Sequence, residues 1–408
     1  MERILRSVQI EDTTTRAVRP KVLFVPGFVV DVYSEIERQY VELCAKSDAT
    51  IEFLWLVPDI DSPCNNFAKA HSRATLREPV WAQHLRSSGI PYVVVRISKY
   101  NVVTNFLLFR RIFREHQIDA VYTHFGFERF WAVFFAKLFG KTTLWNEHWH
   151  SLGTRYTGAK RIFYRLFVDH FIAVSRFIAD TLPKNARVHV MRNAIGANKF
   201  HRSTDEEQQR KRAQLSLPEQ RKVVLLVSAF RENKRHDLAV PICERVLRAR
   251  ADVLFVFLGE GPLRSAVTER VKRLGLAEKI LFPGHVDGVD DYYLAADICM
   301  LTSIGEPCAL AIFESMKYAL PLVAFESGGT PEIVKHEETG VLVPDSDVDR
   351  FSVALLDLLE NDEKRIRLGT RALDFVRAEA DRDAWISRLR ALVRDLVSGE
   401  NRKWGYKQ

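Results

Sequence analysis

Residues 253–303 read VLFVFLGEGPLRSAVTERVKRLGLAEKILFPGHVDGVDDYYLAADICMLTS, and this stretch decides the fold. Three short apolar runs, VLFVFLG, KILFPG and DICMLTS, alternate with segments whose apolar residues recur at helical spacing. Continuous apolar runs of this length are typical of strands buried on both faces, and helical crossovers between them predict parallel pairing. The stretch is therefore expected to form part of a parallel sheet covered by helices.

The same alternation extends over most of the chain. Apolar runs predict a first strand that begins at residue 21. They predict further strands at residues 51–57, 92–97, 120–125, 142–148, 170–175, 223–228, 253–259, 279–284, 297–303, 320–326 and 340–344. The segment 201–221 is polar and separates two groups of strands, and from about residue 349 only helical spacing remains. Pro241 is expected to kink or split the helix that follows His236.

These patterns predict an α/β protein with two doubly wound domains. We expect the first domain at residues 1–198, the second at residues 199–380, and a helical tail at residues 381–408 that packs back on the first domain. A chain of 408 residues is also too long for one ordinary hydrophobic core.

The composition excludes several classes of protein. No apolar run approaches the roughly 18 residues of a membrane-spanning helix, and the N-terminal residues lack the apolar region of a secretory signal. The 5 cysteines are scattered without a C-x-x-C pair, which argues against a disulfide framework and a zinc site. No P-loop lysine motif, G-x-S-x-G or H-E-x-x-H is present. We expect a soluble protein of the cytoplasm.

The net charge of +8 is concentrated in the first half of the chain. Residues 1–200 contain 28 Lys and Arg against 18 Asp and Glu, whereas residues 201–408 contain 32 against 34. Two basic amphipathic stretches, 106–116 and 158–171, lie in that half, so a membrane surface, a phosphorylated lipid or an acidic glycan is an expected partner. The alternative is buried phenylalanines with basic residues facing water. Nucleic acid is not expected, because no motif for it is present.

Two glutamates after the strand at 297–303 are the sharpest candidate site. Glu306 falls in the loop and Glu314 in the first turns of the next helix, eight positions further on. The backbone N–H groups near Ala309 and Leu310 lie where that helix begins, which favours an anion. A carboxylate there could also accept hydrogen bonds from two vicinal hydroxyls. The alternative is a pair of solvated acids, one of which stabilises the helix N-terminus.

A basic loop follows the strand at 223–228 and is the second candidate. Within SAFRENKRH, the cations Arg231, Lys234 and Arg235 could hold a diphosphate, and Asn233 could cap the next helix. The alternative is a basic loop on a charged surface.

The third candidate is WNEHWH, which closes a strand of the first domain. His148 beside aromatic residues could orient a sugar, or it could be a packing histidine. Two patterns of the D-x-D type, at 59–61 and 345–347, could bind a metal diphosphate but are common by chance. The glycine pairs at 259–261 and 328–329 are predicted to be turns that need positive φ.

In combination these motifs resemble the retaining glycosyltransferases of family 4, which have the GT-B fold. The resemblance rests on VSAFRENKRHDL, LGEGPL, the AADI before the paired glutamates, their E-x7-E spacing and GGTPEIV after them, and is firm over about 165–375. It implies two Rossmann-like domains that face each other across a cleft. It also implies a nucleotide-sugar donor on the second domain, for which a UDP-sugar is expected, and a glycan or lipid-linked acceptor on the first.

The resemblance also assigns roles to residues of this chain. Arg231 and Lys234 would neutralise the departing diphosphate, and Glu306 would hold donor-sugar hydroxyls with backbone N–H groups at Ala309 and Leu310. The remaining implied contacts are His148 near the anomeric centre, Glu314 at the ribose hydroxyls, Val286 near the base and Gly27 close to the diphosphate.

The implied reaction needs neither an enzyme nucleophile nor a metal ion, because leaving-group stabilisation and alignment can be supplied by cations and a helix N-terminus. Three departures from the family pattern stand at Ala309, where a glycine is usual, at the single glycine of the first loop, and at the spacing of Arg231. A nucleotide-sugar-binding scaffold without activity and a nucleotide-sugar epimerase are the alternatives.

Overall fold

The computed structural model describes residues 19–27, 35–46, 50–59, 78–79, 81–148, 158–196, 200–286 and 288–399. The chain divides into two compact units, the first formed by Met1–Arg192 with Ala384–Gln408 and the second by Asn193–Asp383. Each unit contains one sheet, and the strand pairs are parallel, as the alternation of strands and helices predicts. Among the helices of the described residues, none combines the length and the hydropathy needed to cross a bilayer.

The first unit is built on a seven-stranded sheet in the order β3-β2-β1-β4-β5-β6-β7. Its strands are β1 (Lys21–Val25), β2 (Glu52–Pro58), β3 (Tyr92–Val95), β4 (Ala120–Thr123), β5 (Thr142–Glu147), β6 (His170–Ala173) and β7 (Val188–Val190). Its helices are α1 (Glu35–Ala45), α2 (Ala82–Ser87), α3 (Val102–Glu115), α4 (Glu128–Leu138), α5 (Ala159–Phe167) and α6 (Arg176–Ala179).

The second unit is built on a six-stranded sheet in the order β10-β9-β8-β11-β12-β13. Its strands are β8 (Lys222–Val227), β9 (Val253–Leu258), β10 (Ile280–Gly284), β11 (Ile298–Leu301), β12 (Leu322–Phe325) and β13 (Gly340–Val343). Its helices are α7 (Asp205–Gln214), α8 (His236–Ala249), α9 (Arg264–Arg273), α10 (Val289–Ala295), α11 (Leu310–Lys317), α12 (Thr330–Ile333), α13 (Val348–Glu360) and α14 (Asp362–Glu379).

Several inner strands of both sheets are buried along their whole length. Every residue of β4, β9 and β11 is buried, because helices cover both faces of the sheets. In each sheet the strand order reverses next to the first strand, between β1 and β4 and between β8 and β11. In open α/β sheets the crevice at such a reversal, at the carboxyl ends of the strands, is where ligands bind.

The last described helix, α15 (Arg382–Ser398), belongs almost wholly to the first unit. Trp385 packs edge-on against Tyr40 of α1, with ring centroids 5.6 Å apart. The buried Arg390 donates to the carbonyls of Leu43 at 2.8 Å and Ile51 at 2.9 Å. These contacts tie the end of the described chain to the loop between α1 and β2.

Two boundaries differ from the predicted ones. The first unit ends at Arg192 rather than at residue 198, and the second continues to Asp383 rather than to 380. The cause is local pairing, because Ile195 forms a parallel bridge with Asp381, and Asn193 Nδ2 donates to the carbonyl of Cys308 at 3.1 Å.

One strand was not predicted, and of the two outcomes predicted for Pro241, a kink or a split, the split does not occur. The sequence prediction contains no strand at β7, which is only three residues long, half-buried and centred on His189, so it has no apolar run. Pro241 does not split α8, which continues to Ala249. The carbonyl of Asp237, four residues before the proline, instead accepts a hydrogen bond from Arg270 Nη1 at 3.1 Å.

Candidate functional site

The loops after β8 and β11 meet at the carboxyl edge of the second sheet. Lys234 Nζ forms an ion pair with Glu306 Oε1, and Asn233 Nδ2 donates to the same oxygen at 3.2 Å. Glu306 is 8% exposed, so this carboxylate is largely withdrawn from water and needs both donors. Two of the predicted catalytic residues, Lys234 and Glu306, are therefore in direct contact.

Backbone hydrogen bonds hold the two loops in register. The loop after β8 forms a 3₁₀ turn at Glu232–Lys234, followed by Arg235 in the left-handed region at φ 52°. Thr302 Oγ1 donates to the carbonyl of Lys234 at 2.8 Å, and the N–H of Ile304 donates to the carbonyl of Asn233 at 2.8 Å. The position of the lysine is thus fixed by its own backbone as well as by its ion pair.

The Gly-Gly turn after β12 is hydrogen-bonded to the backbone of Glu306. The carbonyl of Glu306 accepts a hydrogen bond from the N–H of Gly329 at 2.7 Å. Gly328 has φ 62°, and a Cβ on it would lie 2.5 Å from that carbonyl oxygen. The sequence predicts the turn but not that it contacts the candidate site.

The helix after Glu306 begins where the sequence predicts. Ala309 is the N-cap of α11 at φ −70° and ψ 122°, and Leu310 is the first helical residue. Because this conformation is open to any L-residue, alanine in place of the usual family glycine causes no backbone strain. The first N–H groups of α11 therefore remain a suitable place for an anion.

Glu314 lies about one turn into α11 and is half-buried. Its Oε2 accepts a hydrogen bond from Tyr293 Oη at 2.8 Å. Burial raises the pKa of Glu314, and the hydrogen bond from Tyr293 opposes part of that increase. Tyr293 is a neighbour that sequence reasoning did not find.

Arg231 and Val286 have fewer contacts than the paired residues. Arg231 lies in extended backbone at φ −126°, and its side chain is exposed, with no hydrogen bond or ion pair to another described residue. Val286 follows β10, is half-buried and precedes Asp287, which lies outside the described residues. Both stand at the carboxyl end of a strand, on the edge that carries Lys234 and Glu306.

In the first unit, Gly27 follows β1 at the reversal of strand order. It has φ 57°, and a Cβ would lie 2.1 Å from the carbonyl oxygen of Phe125 in the loop after β4. The two loops thus touch through their backbones, which only glycine permits. The rest of the predicted first loop, from Phe28, lies outside the described residues.

His148 lies at the end of β5 in a cluster of rings. Its ring centroid is 4.1 Å from that of His124 and 5.1 Å from that of Phe125. Burial, with the nearby Arg129 cation, lowers the pKa of His148 to about 3, so the ring is neutral at physiological pH. Its Nε2 is buried and has no hydrogen-bond partner among the described residues. Trp149 and His150 lie outside these residues.

The cluster contains residues that sequence reasoning missed. His124 ends β4 as His148 ends β5, and Arg129 Nη1 donates to the carbonyl of His124 at 3.0 Å. Arg129 also lies 4.1 Å above the ring of Trp145. The rule that selected His148, a histidine at a strand end, applies equally to His124.

The residues of the D-x-D patterns and of the glycine turn at 259–261 that the structure describes have structural roles. Asp347 caps α13 by accepting from the N–H of Arg350 at 2.9 Å, and Asp59 lies 3.5 Å from Arg96 Nη2. Asp61 is outside the described residues. Within the described ranges, no group of three or more His, Cys, Asp or Glu side chains is placed to hold a metal ion. Gly259 and Gly261 have φ 131° and 155°, as their turn prediction requires.

Two family descriptions match neighbouring parts of the chain. "Glycosyltransferase Family 4" matches residues 67–199, and "Glycosyl transferases group 1" matches residues 207–375. The second match contains Lys234, Glu306 and Glu314, and the first contains His148.

Curated relatives and solved structures agree with these descriptions. The N-acetyl-alpha-D-glucosaminyl L-malate synthase of Bacillus anthracis is 25% identical over 44% of this chain and 47% of its own length, so the match spans about half of that relative. The GDP-mannose-dependent alpha-(1-6)-phosphatidylinositol monomannoside mannosyltransferase of Mycobacterium tuberculosis is 25% identical over 72% of this chain and 79% of its own length.

The structure of Anabaena HepE in complex with UDP and glucose has a TM-score of 0.72 at 15% identity, covering 92% of this chain and 99% of that one. At this identity the likeness shows the fold, which is GT-B. The paired glutamates, the basic loop and the two family matches lead to one conclusion: the chain belongs to the GT-B glycosyltransferases of the family 4 type.

Proposed function

We propose that this protein transfers a hexose from a nucleoside diphosphate sugar to a glycan or lipid-linked acceptor, with retention of the anomeric configuration and without a metal ion. The observation that carries the proposal is the contact of Lys234 and Asn233 with Glu306, directly before the N-terminus of α11. It puts a cation, a carboxylate and free backbone N–H groups at one end of one sheet.

The proposed division of labour follows from charge. A diphosphate that leaves the anomeric carbon carries negative charge, which Lys234 and the exposed Arg231 can neutralise while N–H groups of α11 donate to it. Glu306 is acceptor-only when ionised, so it suits sugar hydroxyls, which donate to it. Lys234 would then be shared between the carboxylate and the phosphate, and this sharing would align the sugar with its leaving group.

Glu314 suits the ribose of the donor for the same reason. A carboxylate can accept from two vicinal hydroxyls, and Tyr293 orients it. Val286 would lie near the base, and Gly27 would approach the diphosphate through its backbone.

Retention without an enzyme nucleophile is consistent with the residues present. His148 is buried and neutral, which suits a hydrogen bond to a sugar hydroxyl rather than attack on carbon. The proton of the acceptor hydroxyl would pass to the departing phosphate oxygen, while the new glycosidic bond forms on the same face. The cations and the helix N-terminus would supply the charge stabilisation that a metal ion supplies elsewhere.

UDP is the proposed nucleotide. HepE is solved with UDP and glucose, whereas the mycobacterial relative is named as GDP-mannose-dependent, so the experiment below compares the bases directly. The proposed acceptor is lipid-linked and lies at the cytoplasmic face of a membrane. Residues 1–200 contain 28 Lys and Arg but only 18 Asp and Glu, and such a basic segment is attracted to anionic lipids.

The test is a titration of UDP-, GDP-, ADP- and dTDP-sugars by calorimetry and thermal shift, with and without EDTA, followed by product analysis. We expect UDP-sugars to bind equally well in both conditions, and sugar transfer with retention when an acceptor is present. Isomerisation of the donor without acceptor would identify an epimerase instead. Binding with no transfer or hydrolysis would identify a scaffold.

A further inference from the structure

Helices α3, α4 and α5 form one continuous layer on the first sheet. Each connects strands in the direction from β3 toward β6, and right-handed crossovers place all three on the same side. Phe106 of α3 stacks on Phe139, directly after α4, at 5.5 Å between centroids. Phe134 of α4 packs against Phe167 of α5 at 5.1 Å. The phenylalanines thus hold the layer together, and the opposite sides of the helices face outward.

This outward side, which we call the basic–apolar face, carries an unusual number of exposed apolar side chains. The described residues expose ten large apolar side chains, and seven of them lie here: Tyr100, Val102, Val103, Leu107, Leu138, Ile162 and Leu166. The other three, Leu274, Val353 and Ile366, lie in the second unit. Such clustering within one layer marks an interaction surface rather than random exposure.

Cations accompany the apolar residues at helical spacing. On α3, Val103, Leu107, Arg110 and Arg114 are all exposed and recur every three or four positions, so they share one stripe. On α5, Ile162 and Leu166 are flanked by Arg161 and Arg165, all exposed. The three helices contain eight Lys and Arg residues and two Glu, one of which, Glu128, is buried.

We propose that the basic–apolar face docks on the surface of an anionic lipid bilayer. Apolar side chains on a helix that lies in the membrane plane insert at the boundary of the headgroups, while Arg and Lys beside them attract anionic lipids. The cations favour this occupant over a second copy of the chain, because two such faces would bring like charges together.

The inference rests on the proposed function only for its purpose, which is to hold the enzyme where a lipid-linked acceptor lies. Vesicle binding needs neither donor nor acceptor, so the membrane proposal and the proposed function can be disproved independently of each other. A protein that transfers sugar to a water-soluble acceptor but ignores vesicles would overturn this inference alone. A protein that binds vesicles but transfers no sugar would overturn the proposed function alone.

The test is sedimentation of the full chain with vesicles of phosphatidylcholine containing about 30% phosphatidylglycerol, compared with pure phosphatidylcholine. We expect binding to the anionic vesicles that falls steeply when the salt is raised from about 0.01 M to about 0.3 M. The double variant Leu107→Ser with Ile162→Ser should weaken binding about tenfold or more. Arg110→Ala and Arg165→Ala should each weaken it about fivefold.

Matched controls come from the second unit. Val353→Ser with Ile366→Ser removes exposed apolar groups, and Arg210→Ala with Arg248→Ala removes exposed cations, elsewhere on the chain. Both should bind vesicles as the parent does. Equal loss in control and test variants, or no binding to anionic vesicles at low salt, would overturn the proposal. So would lipid-free self-association, seen by sedimentation velocity, that disappears with Leu107→Ser.

Discussion

At the scale of single residues, the candidate donor site depends on a buried carboxylate whose charge is compensated by one lysine. Glu306 is 8% exposed and receives donors from Lys234 and Asn233. Removing either donor leaves this buried carboxylate with fewer partners to offset the cost of its desolvation. The pair therefore serves stability as well as the proposed chemistry, and the two roles can be separated by the choice of variant.

Lys234→Ala should lower turnover by about 10²–10³-fold, because the leaving diphosphate loses one of the two cations proposed to neutralise it. It should also lower the free energy of unfolding by about 1–3 kcal/mol, since the carboxylate of Glu306 loses a partner. Lys234→Met with Glu306→Gln removes both charges and should recover much of the stability but none of the turnover. Nucleotide release measures the turnover, and thermal unfolding measures the stability. A turnover near that of the parent in Lys234→Ala would remove this lysine from the mechanism.

The proposed contact of Glu314 with the donor ribose predicts that donor binding depends on pH. Burial raises the pKa of its carboxyl above the ordinary 4.5, and binding to ribose hydroxyls requires the ionised form. Affinity should therefore fall as the pH is lowered through this raised pKa. The folded state itself behaves oppositely, since a carboxyl with a raised pKa makes folding less favourable as the pH rises through that range.

In the parent protein the hydroxyl of Tyr293 donates to Glu314 and thereby lowers the pKa of that carboxyl. Tyr293→Phe removes this hydroxyl, so the pKa of Glu314 should rise further. The midpoint of the affinity loss should move to higher pH in this variant, with little change well above it. Calorimetric titration of the nucleotide across pH measures the shift, and Tyr292→Phe, next along α10, is the control. An unchanged midpoint would show that Tyr293 does not tune this carboxyl.

At the scale of elements, much of the fold follows from the sequence because a buried parallel strand needs a continuous apolar run. Of the thirteen strands in the described residues, twelve overlap segments that the apolar pattern predicts, whereas β7, with His189 between two valines at a half-buried edge, does not. Local pattern also could not show how Pro241 is accommodated in α8, since its compensation comes from Arg270, which lies on another helix.

The site was predictable to a similar extent and for a related reason. Glu306 and Lys234 follow strands of the second sheet and His148 follows a strand of the first, and the carboxyl ends of parallel strands share one edge of their own sheet. Tyr293 and Gly328 approach the site from elements that no spacing rule connects to it. Contacts of that kind depend on how neighbouring loops and helices pack, which a single sequence does not contain.

Gly328→Ala should disturb the site through the turn that holds Glu306. The substitution adds strain at φ 62° and a collision at 2.5 Å with the carbonyl oxygen of Glu306. Gly275→Ala is a matched control, because it has φ 70° and open space around the added Cβ. The control should cost about 1–2 kcal/mol of stability and leave nucleotide affinity unchanged. Gly328→Ala should cost more and weaken affinity; equal affinity in both variants would separate the turn from the site.

At the scale of the whole molecule, the two units differ in how their chain is arranged. The second is one continuous segment, Asn193–Asp383, whereas the first needs Ala384–Gln408 to complete it. Arg390 of α15 donates to the carbonyl of Leu43 in α1 and to that of Ile51 directly before β2, and it lies 5.4 Å from the ring of Phe53. Helix α15 is thus a structural part of the first unit.

Arg390→Ala should destabilise the first unit while sparing the nucleotide site in the second. The variant leaves the carbonyls of Leu43 and Ile51 without this donor, which should cost about 2–4 kcal/mol. Arg371→Ala, at an exposed position of α14, should cost less than about 0.5 kcal/mol. Thermal unfolding is followed with and without the nucleotide. The nucleotide should raise the unfolding temperature of the second unit equally in both variants. The unfolding temperature of the first unit should fall only in Arg390→Ala. A single transition that shifts as a whole would mean that the units unfold together, so that α15 supports the nucleotide site as well as the first sheet.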